Sequence, residues 1–508
     1  MTGMSRRDFV RTLGWSAAAL ATPAFLSRCA GPGKVAHPNI LFVSLDDLND
    51  WIEPLGGHPQ ARTPNLSRLA REAVNFARSY CPSPSCLPSR TALLTGVPCY
   101  RSGVYSNYQY WREVLPDAET LPQRFMTNGY WTGGAGKIFH NDQPDPASWD
   151  DYFPSKTKHM PDDIRPKRGG TVSMPAFPNM YGDFDWAPLD VPVEEMGDAK
   201  SVDWAIRQLG RQHDRPFFLA CGIYRPHLPW YVPRKYYEMF PLETVRLPLV
   251  LENDLADVGE RAREIAHRGG GYHRHVLEAG LWKNAVQGYL ASIAFADDLL
   301  GRLLDALERS PYAGNTIVVA WSDHGWQLGE KEHWRKFALW ENVVRNVLMI
   351  KAPPGLPGLR SGAAAGRRCD RIVSLGDVYP TLLELAGLAP KAGCEYRSLV
   401  SLLKEPDRPW GHPALTTYDF GEFSVRVEGW RYTRYIDDSE ELYDHQADPR
   451  EWTNLAGDPR YADVKRRLAA MIPETPAPFA ETSYKLQPHH IPPFKSKEEY
   501  RAAKAAEG

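Results

Sequence analysis

The sequence has almost no net charge and no long run of basic residues. It holds 60 Lys and Arg against 62 Asp and Glu, which gives a formal net charge of -2 at pH 7. Extended basic surfaces are typical of proteins that bind nucleic acid, so this balance does not indicate a nucleic-acid partner. It is still compatible with a local basic pocket for an anionic substrate, because net charge does not describe how charges are distributed.

Beyond its first residues, the sequence also lacks any run of about 18 apolar residues, the length needed to cross a bilayer. We therefore expect no transmembrane span in the mature chain. The apolar stretch at 13–26 follows Arg6-Arg7 and has the layout of a signal peptide with a twin-arginine motif. This predicts export to the periplasm or cell surface by the twin-arginine machinery. Cys29 stands in a segment that resembles a lipoprotein cleavage box, which leaves lipid anchoring through Cys29 and simple cleavage nearby both open.

Cysteine is scarce, and its spacing matches no zinc site. Seven cysteines occur in 508 residues, without the paired pattern of a zinc-binding motif. Cys369 and Cys394 are compatible with a disulfide in an oxidising compartment. Folding in the cytoplasm before export would instead leave cysteines reduced, so no pairing is predicted.

The order of apolar patterns indicates the fold class. A chain of this length with 43% hydrophobic residues can form a large domain with a smaller companion. Short β-rich runs alternate with amphipathic helical stretches, which predicts an α/β fold whose large, mostly parallel sheet is flanked by helices. Strands are predicted at 39–44, 131–136, 216–222 and 316–321, and helices from Thr63-Pro64, over 281–307 and over 377–387. From about Trp410 the pattern predicts a smaller α+β subdomain with an antiparallel sheet.

The most informative segment is Cys86-Leu87-Pro88-Ser89-Arg90-Thr91-Ala92-Leu93-Leu94-Thr95-Gly96. Pro88 fits the first turn of a helix, which places Cys86 just before that helix, where backbone N–H groups favour negative charge. Arg90 lies one turn further and is expected to point back at the same place. A buried or redox cysteine is an alternative that spacing alone does not exclude.

Acidic side chains follow two of the predicted strands. Asp46 and Asp47 end the first strand, and Asp323 and His324 end a later one. The carboxyl ends of parallel strands meet at one edge of a sheet, so these groups are expected to converge. Three converging carboxylates repel one another unless a cation lies between them, and oxygen ligands favour Ca²⁺ or Mg²⁺. The alternative for Asp46-Asp47 is a turn at the end of the strand.

The Cys86 segment resembles the signature of the sulfatase family, in which the cysteine of C-x-P-S-R is oxidised to formylglycine. The resemblance covers about residues 38–455 and is greatest to the iduronate-2-sulfatase branch. It is carried further by Gly136-Lys137-Ile138-Phe139-His140, Tyr224-Arg225-Pro226-His227-Leu228-Pro229, Ser322-Asp323-His324-Gly325-Trp326 and Leu442-Tyr443-Asp444-His445-Gln446-Ala447-Asp448-Pro449. It implies a sulfuric ester hydrolase with an alkaline-phosphatase-like fold. The implied division is an export signal and linker (1–36), a catalytic domain (37–409), and a C-terminal subdomain with a tail (410–508).

The resemblance also implies the site residues and the cofactors, which are one Ca²⁺ and the formylglycine derived from Cys86. The implied metal ligands are Asp46, Asp47, Cys86 as formylglycine, Asp323 and His324. The implied catalytic residues are Cys86, Arg90, Lys137, His140, His227 and Lys336. Lys331 and His333 compete for the place of Lys336, because that assignment depends on the register of one loop. Asn346 is a departure, at a position where the family usually has proline.

The mechanism that the resemblance implies proceeds through a geminal diol of formylglycine. One hydroxyl attacks sulfur with the help of Ca²⁺ and Arg90, while His227 and Lys336 assist the departing sugar oxygen. His140 then removes the proton of the second hydroxyl, which expels sulfate from the sulfated enzyme. The expected partners are a formylglycine-generating enzyme and a sulfated oligo- or polysaccharide.

The implied substrate is a 2-O-sulfated uronic acid, by analogy with the iduronate-2-sulfatase branch. Its carboxylate needs a basic partner, for which Arg101, Arg225 and Arg335 are candidates. Two other functions remain open. One is a phosphonate monoester or phosphodiester hydrolase of the same superfamily, and the other is a non-catalytic sulfoglycan-binding protein, which would require Cys86 to stay unmodified.

Overall fold

The computed structural model describes residues 37–140, 143–166, 183–486 and 493–507. The predicted export signal, with Arg6, Arg7 and Cys29, lies outside the described residues. Across the described ranges, every helix is too short or too polar to cross a membrane.

A mixed sheet of eight strands forms the centre of the fold. Its strands are, in chain order, β1 (Asn39–Leu45), β2 (Val74–Phe76), β3 (Trp131–Gly136), β4 (Asp151–Phe153), β5 (Phe217–Ile223), β6 (Thr316–Trp321), β7 (Leu348–Lys351) and β8 (Arg368–Cys369). In space they follow the order β8-β2-β7-β6-β1-β5-β3-β4. Strand β7 runs antiparallel to both of its neighbours, and the other pairs are parallel. The predicted large, mostly parallel sheet is therefore confirmed.

Helices cover both faces of this sheet. Those of seven or more residues are α1 (Pro64–Glu72), α2 (Cys86–Thr95), α3 (Leu121–Thr127), α4 (Gly197–Leu209), α5 (Glu260–Ala266), α6 (Arg268–Glu278), α7 (Trp282–Arg309), α8 (Val378–Leu385), α9 (Ala462–Ala469) and α10 (Lys497–Glu507). Shorter helices span Cys99–Ser102, Trp111–Val114, Arg234–Tyr237, Glu341–Val344 and Val400–Lys404.

Alternate residues of β1 belong to two different apolar cores, as the two-residue period of a strand requires. Leu41 and Val43 pack in one core with side chains of α1, α4 and α7. Ile40 and Phe42 pack in the other with side chains of α2, α3 and α8. Burial on both faces explains why β1 reads as a continuous apolar run, and it places the polar residues that follow β1 at the carboxyl edge of the sheet.

Three small sheets complete the main body. They are formed by Ser79–Tyr80 with Arg345–Asn346 and Val373–Ser374, by Gln327–Leu328 with Trp334–Arg335, and by Trp186–Leu189 with Trp230–Pro233. The Gln327–Leu328 hairpin is important for function, because its loop carries residues 329–333 and its second strand leads directly to Lys336.

The C-terminal part forms the predicted antiparallel sheet. Its strands are β9 (Ala414–Tyr418), β10 (Glu422–Val427), β11 (Trp430–Arg434) and β12 (Glu440–Asp444), paired in that order. Leu468 of α9 packs against apolar residues of this sheet. The α+β character predicted for this region is confirmed.

One local prediction needs correction, and one alternative that was left open is decided. Thr63 precedes α1 as predicted, but its hydroxyl oxygen accepts a hydrogen bond from Glu53 N at 2.8 Å and does not cap the helix. The cysteines at 369 and 394 are both free thiols, so the disulfide that was left open is not formed.

Candidate active site

Cys86 is the first residue of α2. The helix therefore begins one residue earlier than the sequence suggested, since Cys86 was expected just before it. Ser85 precedes the helix without capping it, and the cap comes from elsewhere in the chain. Asn107 Oδ1 accepts hydrogen bonds from Leu87 N and from Ser85 Oγ, both at 2.8 Å. The N–H groups of this buried helix end would favour a negatively charged group at position 86.

The ends of β1 and β6 bring the predicted metal ligands together. These strands are parallel neighbours, so Asp46-Asp47 and Asp323-His324 emerge side by side. Asp47 N donates a hydrogen bond to Asp323 Oδ1 at 3.2 Å, and His324 Nε2 lies 3.4 Å from Asp47 Oδ1. Asp47 has a φ of 59°, a left-handed conformation that aspartate tolerates better than most residues. The turn aims its carboxylate at Cys86, with Oδ1 3.8 Å from the sulfur.

Arg90 ties the two strand ends to α2. Its Nε donates to Asp323 Oδ2 at 3.0 Å and its Nη2 donates to Asp46 Oδ1 at 2.8 Å. Its Nη1 donates to the carbonyl oxygens of Lys137 and Ile138, at 2.7 and 2.9 Å. The arginine therefore fixes four acceptors from three elements.

Lys137 enters the site because β3 ends at a glycine. Gly136 has a φ of 72°, and a Cβ atom there would lie 1.9 Å from Gly222 O of β5, so only glycine fits. The ammonium group of Lys137 lies 2.5 Å from Asp46 Oδ2 and 3.7 Å from Cys86 Sγ.

Lys336 is the closest cation to Cys86. Its Nζ lies 2.8 Å from the sulfur, 2.8 Å from Asp47 Oδ1 and 3.1 Å from Asp47 Oδ2. Its competitors point elsewhere, since Lys331 pairs with Asp254 at 2.7 Å and His333 Nε2 lies 2.9 Å from Lys336 O. Of the three loop residues weighed from the sequence, Lys336 is therefore the one that the fold brings to the site.

His227 borders the site at its more open side. Its Nε2 lies 3.7 Å from Asp47 Oδ2, its Nδ1 lies 2.5 Å from Leu228 O, and its ring stacks on Tyr224. Its side chain is 16% exposed, whereas those of Lys336 and Asp47 are 2% and 0% exposed. A substrate that reaches Cys86 would therefore pass His227.

His140 is not among the polar contacts that Cys86 makes within the described residues. Its carbonyl oxygen accepts from Gln143 N at 2.9 Å, and the residue is half-buried. Its assignment as a base stays a prediction.

Burial and neighbouring charges shift the pKa values of these groups in opposite directions. Burial raises the pKa of the Cys86 thiol to about 12, although Lys137 and Lys336 oppose it. Burial also raises the pKa of Asp47, against the effect of Lys336. For Asp46 the effect of burial is outweighed by Lys137 and Arg90, which hold its pKa well below the usual range. The pKa of His227 is lowered by burial and by Lys336 and Lys137, so its imidazole is neutral at pH 7.

The donor set fits a divalent cation. Ligand atoms of Asp47, Cys86, Asp323 and His324 all lie within 4.8 Å of one another, and those of Asp46, Asp47, Cys86 and His227 do so as well. Three buried carboxylates supply the oxygen ligands that Ca²⁺ and Mg²⁺ prefer. Arg90, Lys137 and Lys336 balance these three carboxylates, so a bound dication would leave the site positive, as an anionic substrate requires.

The three arginines weighed as carboxylate partners have different surroundings. Arg101 lies at the surface and pairs with Glu395 at 2.5 Å. Arg225 is fully buried and pairs with Asp163 at 2.6 Å, which is a structural role. Arg335 precedes Lys336 and lines the pocket beside Cys86.

Two polar side chains at the site were missed from the sequence. Asn107 caps α2 from a loop, and Tyr289 of α7 donates a hydrogen bond from its hydroxyl to Asp47 O at 2.8 Å. Neither lies in a recognisable motif, and Tyr289 reads as one more apolar position of a long helix. Only the contact across the fold reveals them.

Known proteins resemble this chain in sequence and in fold. The family model described as Sulfatase matches residues 38–388, and one described as N-sulphoglucosamine sulphohydrolase, C-terminal, matches residues 329–476. A sulfatase of Formosa agariphila is 37% identical over 491 residues, which cover 93% of each chain. The human iduronate 2-sulfatase is 31% identical over 72% of each chain. The crystal structure of a phosphonate monoester hydrolase of Agrobacterium radiobacter superposes with a TM-score of 0.69 at 25% identity, over 85% of this chain and 94% of that one.

Proposed function

Because this chain belongs to the sulfatase family and is a sulfuric ester hydrolase, we propose that it removes the 2-O-sulfate of a uronic acid in a sulfated glycan. We further propose that its nucleophile is a formylglycine made from Cys86 and that its metal is Ca²⁺. A formylglycine-generating enzyme is then a required partner, and the paired arginines near the start support export by the twin-arginine machinery.

The observation that carries the proposal is the set of charges around the first residue of α2. Cys86 Sγ lies 2.8 Å from Lys336 Nζ and 3.7 Å from Lys137 Nζ, at a helix end that itself favours anions. An unmodified thiol with a pKa of about 12 would be protonated and weakly nucleophilic at pH 7. A hydroxyl at the same place is also a weak acid, so it would depend on a bound metal and on these cations for its activation.

The metal would be held by Asp46, Asp47, Asp323 and His324, with the oxygen atoms of residue 86 as further ligands. A bound Ca²⁺ acts as a Lewis acid that makes a coordinated hydroxyl more acidic and neutralises charge on a sulfate oxygen.

The residues of the chain supply the remaining steps. Lys336 and Lys137 hold the sulfate oxygens against the nucleophile, where negative charge grows in the transition state. The nucleophilic oxygen forms a bond to sulfur, and the bond between sulfur and the sugar oxygen breaks. Lys336, which is charged at pH 7, would stabilise the negative charge on that oxygen, with neutral His227 beside it. His140 is proposed as the base that accepts the proton when sulfate leaves residue 86.

The choice of a uronic acid rests on similarity and on charge. The human relative at 31% identity is named iduronate 2-sulfatase. The pocket next to Lys336 is lined by Arg268 and Arg335, which gives a second basic region beside the one that takes the sulfate. A sugar with two anionic groups matches two basic regions.

A second candidate is hydrolysis of phosphonate monoesters or phosphodiesters. It is favoured by the likeness to the Agrobacterium phosphonate monoester hydrolase. A metal, two lysines and an oxygen nucleophile also stabilise phosphoryl transfer, so geometry near residue 86 does not separate the two reactions.

The test is release of sulfate by protein produced together with a formylglycine-generating enzyme, with conversion of Cys86 established by peptide mass. The substrates are 2-O-sulfated uronate oligosaccharides, a 6-O-sulfated hexosamine and a phenyl phosphonate. Cys86→Ala is the control. We expect sulfate from the uronate substrates only, and none from Cys86→Ala. Turnover of phosphonate in preference to sulfate would establish the second candidate, and release from the hexosamine alone would refute the uronate assignment.

A further inference from the structure

A pocket with a cavity volume of about 30 Å³ lies beside Cys86. Ser85 and Lys336, which adjoin or contact Cys86, belong to its lining. A cavity of this volume holds a group of a few atoms, such as a carboxylate, and not a whole sugar ring, since a water needs about 10–15 Å³ on the same measure. The pocket is therefore a candidate place for one anionic group of a sugar whose sulfate reaches Cys86.

Two arginines from different elements line this pocket. Arg268 is the first residue of α6, and Arg335 ends the second strand of the Gln327–Leu328 hairpin. Their guanidinium carbons lie 5.5 and 5.9 Å from the centre of the same ring, that of Phe337. The two guanidinium groups therefore lie around one aromatic side chain and not on opposite sides of the molecule.

Arg335 is held in place by its neighbours. Its Nη1 donates to the hydroxyl of Tyr272 at 3.1 Å, and its guanidinium carbon lies 5.6 Å from the centre of that ring. The residue is 8% exposed. A guanidinium group fixed in this way loses little freedom when it binds an anion, which strengthens binding.

The backbone around Lys336 is strained. Arg335 and Phe337 have φ values of 80° and 75°, a left-handed conformation that is unusual for residues other than glycine. Such conformations concentrate where function requires a particular placement of side chains. Here the strained pair places Lys336 on Cys86 and aims Arg335 at the adjoining pocket.

The charge of the pocket is basic on balance. Asp419 also lines it and lies 3.8 Å from Arg268, but it lies at the same distance from Arg261. Lys336 is already paired with Asp47, and the two arginines outnumber the single carboxylate in the lining. A planar carboxylate is the anion that matches the fork of a guanidinium group best.

We propose that Arg268 and Arg335 form a carboxylate subsite that binds the uronate carboxyl group while the sulfate lies at residue 86. This rests on the proposed function, since it names the part of the site that recognises a uronate rather than a neutral sulfated sugar. The subsite sets specificity, and the atoms that react stay those around Cys86.

The test compares binding of two sugars by the full chain carrying Cys86→Ala, saturated with Ca²⁺. One is a 2-O-sulfated uronate disaccharide, and the other is the same disaccharide with its carboxyl group reduced to an alcohol. By titration calorimetry, the uronate is expected to bind at least about tenfold more tightly, as one or two charge-assisted hydrogen bonds provide. Arg268→Gln and Arg335→Gln should each bring the ratio of the two affinities towards one, because only the binding of the uronate should weaken.

Matched variants separate recognition from folding. Arg335→Lys keeps the positive charge but loses the paired N–H donors of the guanidinium group, so it should give an intermediate ratio of the two affinities. Arg460→Gln, an arginine whose side chain is 78% exposed, should leave the ratio unchanged. Thermal unfolding of each variant checks that the fold is intact.

The outcomes distinguish this inference from the proposed function. If both sugars bind equally while formylglycine-containing enzyme still releases their sulfate, the subsite is refuted and the sulfatase assignment stands. Equal weakening of both sugars by the two Gln variants would refute it as well, since that is a structural effect. If the active enzyme hydrolyses an aryl sulfate but neither sugar, the uronate assignment fails and the subsite with it.

Discussion

Replacing Arg90 with methionine is expected to destabilise the protein by about 3–5 kcal/mol, the usual consequence of removing one partner from a buried ion pair. The change removes the bonds to Asp323 at 3.0 Å and to Asp46 at 2.8 Å, together with those to two carbonyl oxygens. Asp46 keeps Lys137 and Asp323 keeps the N–H of Asp47. The loss is therefore that of the four hydrogen bonds of one arginine, of which the two to carboxylates are worth about 1.5–3 kcal/mol each, and not of the whole cluster.

The measurement is the midpoint of urea unfolding, with and without calcium. It reports the change in stability provided that the slope of the free energy against urea concentration is unchanged. In EDTA the full loss of stability is expected, because without calcium only Arg and Lys side chains neutralise the buried carboxylates. In saturating Ca²⁺ the effect should be smaller, since the dication neutralises the same carboxylates. Arg460→Met at the surface should change stability by less than about 0.5 kcal/mol. A loss below about 1 kcal/mol for Arg90→Met, or a larger loss in calcium than in EDTA, would refute the reasoning.

Four further outcomes are expected. Lys336→Met should lower kcat by about 10²–10³-fold. It should also tighten Ca²⁺ binding, because the Lys336 ammonium group competes with the metal for the Asp47 carboxylate. Unchanged calcium affinity would contradict that competition. Ca²⁺ at about 100 times its Kd should stabilise the protein by about 2.7 kcal/mol in thermal scans, and Asp47→Asn should abolish the response. Glu451 is buried, which raises its pKa, but Arg431 outweighs this and lowers the pKa to about 2 from an ordinary 4.5. Its contribution to stability is present above pH 4.5 and lost as pH falls towards 2, so acid titration of Glu451→Gln should show a smaller loss in that window. Asn107→Ala should destabilise by about 0.5–2 kcal/mol through the lost helix cap, and Asn107→Asp, which keeps the acceptor, should not.

Much of the fold was predictable because its signals are local. Strands β3 and β6 have the bounds predicted from apolar runs, and α7 covers Trp282–Arg309 where its stripe predicted 281–307. Such patterns depend only on residues a few positions apart, which is the range over which strand and helix periodicity acts. The position of Cys86 at a helix start followed from Pro88 for the same reason, with an error of one residue.

The sequence by itself was enough to predict a site at position 86 and at the ends of β1 and β6, since each of those signals lies in one short segment. The tertiary structure decided which distant side chains join them. Lys336, and not Lys331, reaches Cys86 because two left-handed residues turn the chain on either side of it. Asn107 and Arg268 come from loops and helices whose sequences carry no mark of the site. Their roles arise from packing between segments far apart in the chain, and no local pattern encodes a contact of that kind.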